Sequence, residues 1–155
     1  MTTTKEKHHM SPPRITRIDS DGRRITWRCS TCDKPLQRGH GWIELIGSQM
    51  ALAYDALRHA DQMIARAYRT TGLPQMTTGA DLLDMPGPAH WRATCRTCNG
   101  DDAGSGYFIE VAQISSLAAV LDWTAHLSQK VWLEHTDWDD VCRLVAAAAI
   151  RRAVA

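Results

Sequence analysis

Apolar and polar residues alternate over residues 14–18 and again over 24–28, on either side of Asp21-Gly22. A period of two around an Asp-Gly step predicts a β-hairpin. A third strand is expected at Trp42-Ile43-Glu44-Leu45-Ile46, bounded by Gly39, Gly41 and Gly47. The period then changes. Leu52, Ala53, Ala56, Leu57, Ala60, Ile64, Ala67 and Tyr68 recur at helical spacing, with Ser48 as the expected cap and Gly72 as the stop. Residues 90–94 lead into a cysteine pair, and residues 107–111 read as a further strand after a polar loop at 100–106. A second helix should begin near Ser115 or Ser116, with Leu117, Val120, Leu121, Thr124, Leu127 and Val131 on one apolar stripe. Thr136 and Asp139 have the spacing of a capping box for a last helix ending in Arg151-Arg152.

Two stretches lack such patterning. Residues 1–13, polar and ending in Ser11-Pro12-Pro13, are expected to be a disordered tail, and the proline- and glycine-containing residues 73–88 a mobile loop. The chain has 155 residues, 44% hydrophobic and 23% charged, which suits one folded domain over residues 14–155. There is no run of about eighteen apolar residues and no apolar segment of the signal-peptide kind near the start. The expectation is a cytoplasmic protein without a membrane partner.

Five cysteines narrow the chemistry. Cys29 and Cys32 form one Cys-x-x-Cys pair and Cys95 and Cys98 another, while Cys142 is left in an apolar helical stretch as a small hydrophobe. A tetrahedral zinc ion needs four ligands, and each such pair delivers two sulfurs from one tight turn. The expectation is therefore one structural Zn²⁺ per chain held by Cys29, Cys32, Cys95 and Cys98. Four thiolates can also hold an iron–sulfur cluster, and either pair can form a reversible disulfide, so a thiol redox sensor stays open. His40 and His90 lie near the pairs and are alternative ligands or bystanders.

The halves repeat a pattern. Trp27-Arg28 and the first cysteine pair precede Gly39-His40-Gly41 and a strand; Trp91-Arg92 and the second precede Gly104-Ser105-Gly106 and a strand. The fold class expected is α+β: two knuckle–strand–helix units sharing one metal, an N-terminal hairpin and a C-terminal helix.

Charge adds less. The net charge is +1, yet residues 1–28 hold seven basic and three acidic side chains, whereas 101–155 hold four basic and eight acidic. Arg14, Arg17, Arg23 and Arg24 are the expected contacts if nucleic acid is the partner. Trp123, His126, Lys130 and Trp138 form the candidate surface for a protein partner.

Thr94-Cys95-Arg96-Thr97-Cys98-Asn99, with an upstream Cys-x-x-Cys, resembles the closing knuckle of zinc-containing HNH endonucleases. That resemblance implies a metal-dependent nuclease with a catalytic Asp-His pair. No Asp-His dipeptide lies between the cysteine pairs here, so only the cysteines carry over, with His40 or His90 as a divergent base. The stretch from Trp27 to Trp138, including Trp123-Thr124-Ala125-His126-Leu127 and Thr136-Asp137-Trp138, also resembles small zinc-finger-like proteins with two Cys-x-x-Cys pairs from actinobacteria and their phages. This second resemblance implies no activity; for a phage protein the location would be the host cytoplasm. No catalytic residue is assigned. The function expected is a non-enzymatic zinc-binding protein that recognises a protein or, in a regulatory role, a nucleic acid; the alternatives are a divergent HNH-like nuclease and a thiol redox sensor.

Overall fold

The hairpin forms close to its turn. Asp21 Oδ1 accepts the backbone N–H groups of Arg23 (2.9 Å) and Arg24 (2.6 Å), and the Asp21 N–H donates to the Arg24 carbonyl. An aspartate at such a position mimics a backbone turn. Strands β1 (Ile18–Ser20) and β2 (Ile25–Trp27) pair antiparallel with Ile18 opposite Trp27. They are shorter than the alternation implies because residue 15 pairs elsewhere: the Ile15 N–H donates to the Trp91 carbonyl at 3.1 Å. The computed structural model describes residues 14–21, 23–72, 87–99 and 106–153. The tail expected at 1–13, most of the loop expected at 73–88 and residues 100–105 lie outside them.

A second, three-stranded sheet carries the core. Strand β3 (Gly41–Leu45) lies between β4 (Arg92–Cys95) and β5 (Tyr107–Glu110), antiparallel to both. Its Ile43 stands opposite Ala93 on one side and Ile109 on the other, all three fully buried. Glu44 faces Arg92 across the β3–β4 ladder, and their side chains form a largely buried ion pair at 2.7 Å.

Helix α1 (Gly47–Thr71) follows β3. Its N-cap is Ile46, with no side-chain cap, so Ser48 lies within the first turn and does not cap it. The stop at Gly72 forms as expected, with φ of 69° and its N–H on the Tyr68 carbonyl. Only Ala53 and Ala56 are buried, and Ile64 and Tyr68 are exposed. No helix among the described residues is long and apolar enough to cross a membrane.

After β5 come a 3-10 turn (Val111–Ile114) and helix α2 (Leu117–Leu127), whose N-cap Ser116 accepts the Ala119 N–H at 3.2 Å. The apolar stripe expected on α2 divides. Val120 and Leu127 are buried, whereas Leu117 and Leu121 point outwards and Val131 lies beyond the helix end. A second 3-10 turn (Leu133–His135) precedes helix α3 (Trp138–Ala153). Thr136 does not serve the capping box expected with Asp139. Its hydroxyl accepts the Trp91 indole N–H (3.2 Å) and the Trp138 backbone N–H (3.3 Å), and donates to the Leu133 carbonyl (2.8 Å).

Trp91 sits among Tyr107, Trp132 and Trp138, with ring centroids 4.9–6.3 Å away. The buried indoles find partners, as Trp27 donates to the Ile114 carbonyl (2.7 Å) and Trp138 to Thr124 Oγ1 (3.0 Å). Gly106 is pressed against β3: a Cβ there would lie 2.0 Å from the Leu45 carbonyl oxygen. Backbone cannot yield cheaply. Gly106→Ala is expected to destabilise the fold by about 1–3 kcal/mol, read as a lowered midpoint in thermal or urea unfolding; an unchanged midpoint would show that β5 can move off β3.

Candidate metal centre

Each cysteine pair sits on a turn that the surrounding strands aim. The first follows β2. The Cys29 carbonyl accepts the Asp33 N–H and the Cys29 N–H donates to the Lys34 carbonyl, both at 2.9 Å, with Asp33 in the left-handed region at φ 56°. Aspartate tolerates that region better than most residues. Arg28 braces the same turn, with Nε on Asp19 Oδ2 (2.5 Å) and Nη1 on the Asp33 carbonyl (2.6 Å). The second pair opens at the end of β4, where the Cys95 carbonyl accepts the N–H groups of Cys98 and Asn99 at 3.0 Å.

The turns are joined by backbone. The Ser30 N–H donates to the Ala93 carbonyl (2.7 Å), Ser30 Oγ accepts the Ala93 N–H (3.0 Å), and the Arg96 N–H donates to the His40 carbonyl (3.1 Å). Four sulfurs meet as a result. The ligand atoms of Cys29, Cys32, Cys95 and Cys98 all lie within 4.8 Å of one another, and the Cys32 and Cys95 sulfurs are 3.8 Å apart. In a tetrahedron with metal–sulfur bonds of about 2.3 Å the sulfurs are about 3.8 Å apart. The group is thus sized for one metal ion. The thiolates of a four-iron cluster bind separate iron atoms and need wider spacing.

The sulfurs are chemically unlike. Burial raises the Cys29 thiol, but the backbone N–H groups of Cys32, Thr31 and Cys95 aimed at its sulfur outweigh that and bring it down to about 6. Cys98 is pushed up to about 12 by its contacts with the Cys95 and Cys32 side chains, then by burial and by Cys29. Without a cation, neighbouring thiolates repel one another, and Cys98 keeps its proton. A metal ion would displace it, so metal binding would be proton-linked.

No protein family, curated protein or solved structure matches the chain. The site is read from its own geometry. His40 and His90 are outside the sulfur group. His40 is exposed beside Cys95, whereas His90 Nδ1 lies 2.9 Å from Asp137 Oδ2. Asp137, itself buried, also accepts the Trp91 N–H through Oδ1 (2.8 Å). His90 and Asp137 are 47 positions apart in sequence, and no local motif announces the pair. Ser30 is equally invisible in sequence, but an αL-tolerant Asp after a Cys-x-x-Cys turn is a signal that can be sought.

The other candidate residues are scattered. Arg17 lies near Asp19 and Asp33, while Arg14, Arg23 and Arg24 are exposed. Trp123 and His126 touch edge to face, and Lys130 lines a cleft of about 820 Å³ with Leu57, Val131, Leu133 and Cys142. Trp138 does not belong on a partner surface. It is 2% exposed, packed in the core at a tilt against the Trp91 ring. Cys142 is half-buried beside Thr124 Oγ1 (3.6 Å), and burial raises its thiol.

Because thiolates bind the ion and thiols do not, apparent metal affinity should rise with pH and fall as acid returns protons to the sulfurs. A titration with a chromogenic metal indicator checks the sign; retention independent of pH would exclude thiolate ligation.

Proposed function

We propose that this chain is a non-enzymatic zinc-binding protein that recognises another macromolecule. One observation carries the reading: four cysteine sulfurs lie within 4.8 Å of one another, two of them 3.8 Å apart, close enough to fill the four positions around one ion. A closed shell leaves no place for substrate or activated water, so the ion acts on the fold. Zinc suits an S₄ tetrahedron, having no redox chemistry and no geometric demand of its own. For recognition, the support is surface: Phe108, Leu117 and Leu121 are 61%, 47% and 63% exposed. Scattered apolar residues are ordinary, so these three support a partner only in so far as they lie together as one patch. The arginine- and alanine-rich composition suits a GC-rich actinobacterial or phage genome.

Protein purified without added metal should contain one zinc per chain by native mass spectrometry with elemental analysis. Cys95→Ser/Cys98→Ser should lose both the zinc and the cooperative unfolding transition. Iron with a visible chromophore, or a metal-free protein with wild-type stability, would overturn the zinc assignment.

The His90–Asp137 pair supports a second reading, a divergent nuclease, since a carboxylate on Nδ1 orients an imidazole as a general base. That reading predicts Mg²⁺- or Mn²⁺-dependent nicking of plasmid DNA abolished by His90→Ala. Nicking that survives the change would exclude His90 as the base.

A further inference from the structure

The loop after the first cysteine pair and the turn of the second enclose an open cleft of about 390 Å³ beside the sulfur group. Lys34, Gln37, His40, Arg96 and Thr97 line it, all exposed, and among the described residues no carboxylate lines it. Leu36, also part of its wall, lines a neighbouring depression that carries Arg24 and Arg38. Cations from the hairpin, the first knuckle loop and the second knuckle are thereby brought to one region.

These groups differ from the five arginines that are held in ion pairs. Arg17, Arg28, Arg58, Arg92 and Arg143 each lie within ion-pair distance of a carboxylate. Among the described residues, Lys34, Arg38 and Arg96 form no such pair. Unpaired cations around a concavity, with neutral hydrogen-bonding side chains between them, complement a chain of phosphates. Gln37 and Thr97 supply the neutral donors. We propose that this basic cleft binds the phosphodiester backbone of a nucleic acid, with Lys34 and Arg96 on phosphate in the cleft and Arg24 and Arg38 extending the track. The inference rests on the recognition reading above and names its partner.

A rival account must be tested with it. Four thiolates around a divalent ion carry a net charge of −2, and Lys34 and Arg96 beside them would then merely balance that charge. The two accounts separate in one experiment. Zinc-loaded full-length protein is titrated into fluorescein-labelled duplex DNA, single-stranded DNA and single-stranded RNA of equal length, over a salt series, with polyglutamate as the phosphate-free polyanion. Binding should weaken linearly in log affinity against log salt. Lys34→Ala/Arg96→Ala should lose about tenfold in affinity at low salt and flatten the slope by about 1–2, while keeping its zinc. Arg24→Ala/Arg38→Ala should act in the same direction. Arg66→Ala/Arg69→Ala, which removes the same charge from α1, should leave binding unchanged.

The strongest of the three probes identifies the nucleic acid. No binding to any of them by zinc-loaded wild type would overturn the proposal, as would equal loss from the α1 double variant. Polyglutamate binding as tightly would reassign the cleft to an acidic protein surface. Loss of zinc from Lys34→Ala/Arg96→Ala, with Arg24→Ala/Arg38→Ala inert, would favour charge balance. Each of these leaves the metal reading standing, whereas its own failure shows as absence of zinc from the wild type.

Discussion

Two tight turns separated by 62 residues must deliver four sulfurs to one point, and the sheet does most of that work. Cys95 ends β4 opposite Gly41 at the start of β3, so strand register fixes its height along the sheet. The two Ser30–Ala93 hydrogen bonds then hold the first turn against the same strand. A Cβ on Gly41 would lie 2.8 Å from the Leu36 Cβ, so the loop after the first turn packs where only glycine leaves room. A metal ion bound at the sulfurs would complete an arrangement that hydrogen bonds already hold together, and its binding energy would add to that of the fold. Without the ion, the crowded sulfurs oppose one another, and the same site becomes a strain on the strands it joins.

The other end of β4 is fastened by different means. The Ala89 N–H donates to the His135 carbonyl (2.8 Å) and the Ala89 carbonyl accepts the Asp137 N–H (2.9 Å), while the Asp137 carboxylate reaches His90 and the Trp91 N–H. A buried carboxylate is costly unless its oxygens are occupied, and here both are. Asp137 thus ties the entry of β4 to the start of α3, and the Trp91 ring fills the space beneath. This explains the His90–Asp137 pair without chemistry. His90 lines neither the cleft beside the sulfur group nor the larger one at Lys130, so its pairing with Asp137 holds the strand whether or not its imidazole also acts as a base.

What was legible in the sequence was local. Asp21 and the alternation beside it announce the hairpin, Gly72 ends α1, and the matched spacing of two cysteine pairs points to one shared site. Long-range pairings were not legible. Nothing near Trp42 tells which strands flank it, and nothing near His90 points to Asp137. The stripe on α2 fails for a related reason: a period of 3.6 locates a helix but not which flank meets the core, and α2 packs through Val120 and Leu127 with Leu121 left outside. Trp138 could be read from the sequence either as an anchor of the core or as part of a partner surface, and the structure places it in the core, with Thr136 and Asp137 fastening the strand beside it.

Charge shows most clearly what a whole-chain figure conceals. A net charge of +1 is close to neutral, and on that figure alone a polyanion is a poor partner. The structure divides the charges into two populations. One is consumed in pairs: Arg28 with Asp19, whose carboxyl it holds below its usual range, Arg92 with Glu44, and Arg143 with Asp139 and Asp140. These fields cancel within a few ångströms and reach no partner. Among the described residues Lys34, Arg38 and Arg96 are not cancelled in this way, and Lys34 and Arg96, far apart in sequence, line one cleft beside the sulfur group. A metal ion holding the two cysteine turns together would thereby also hold these two uncompensated charges side by side.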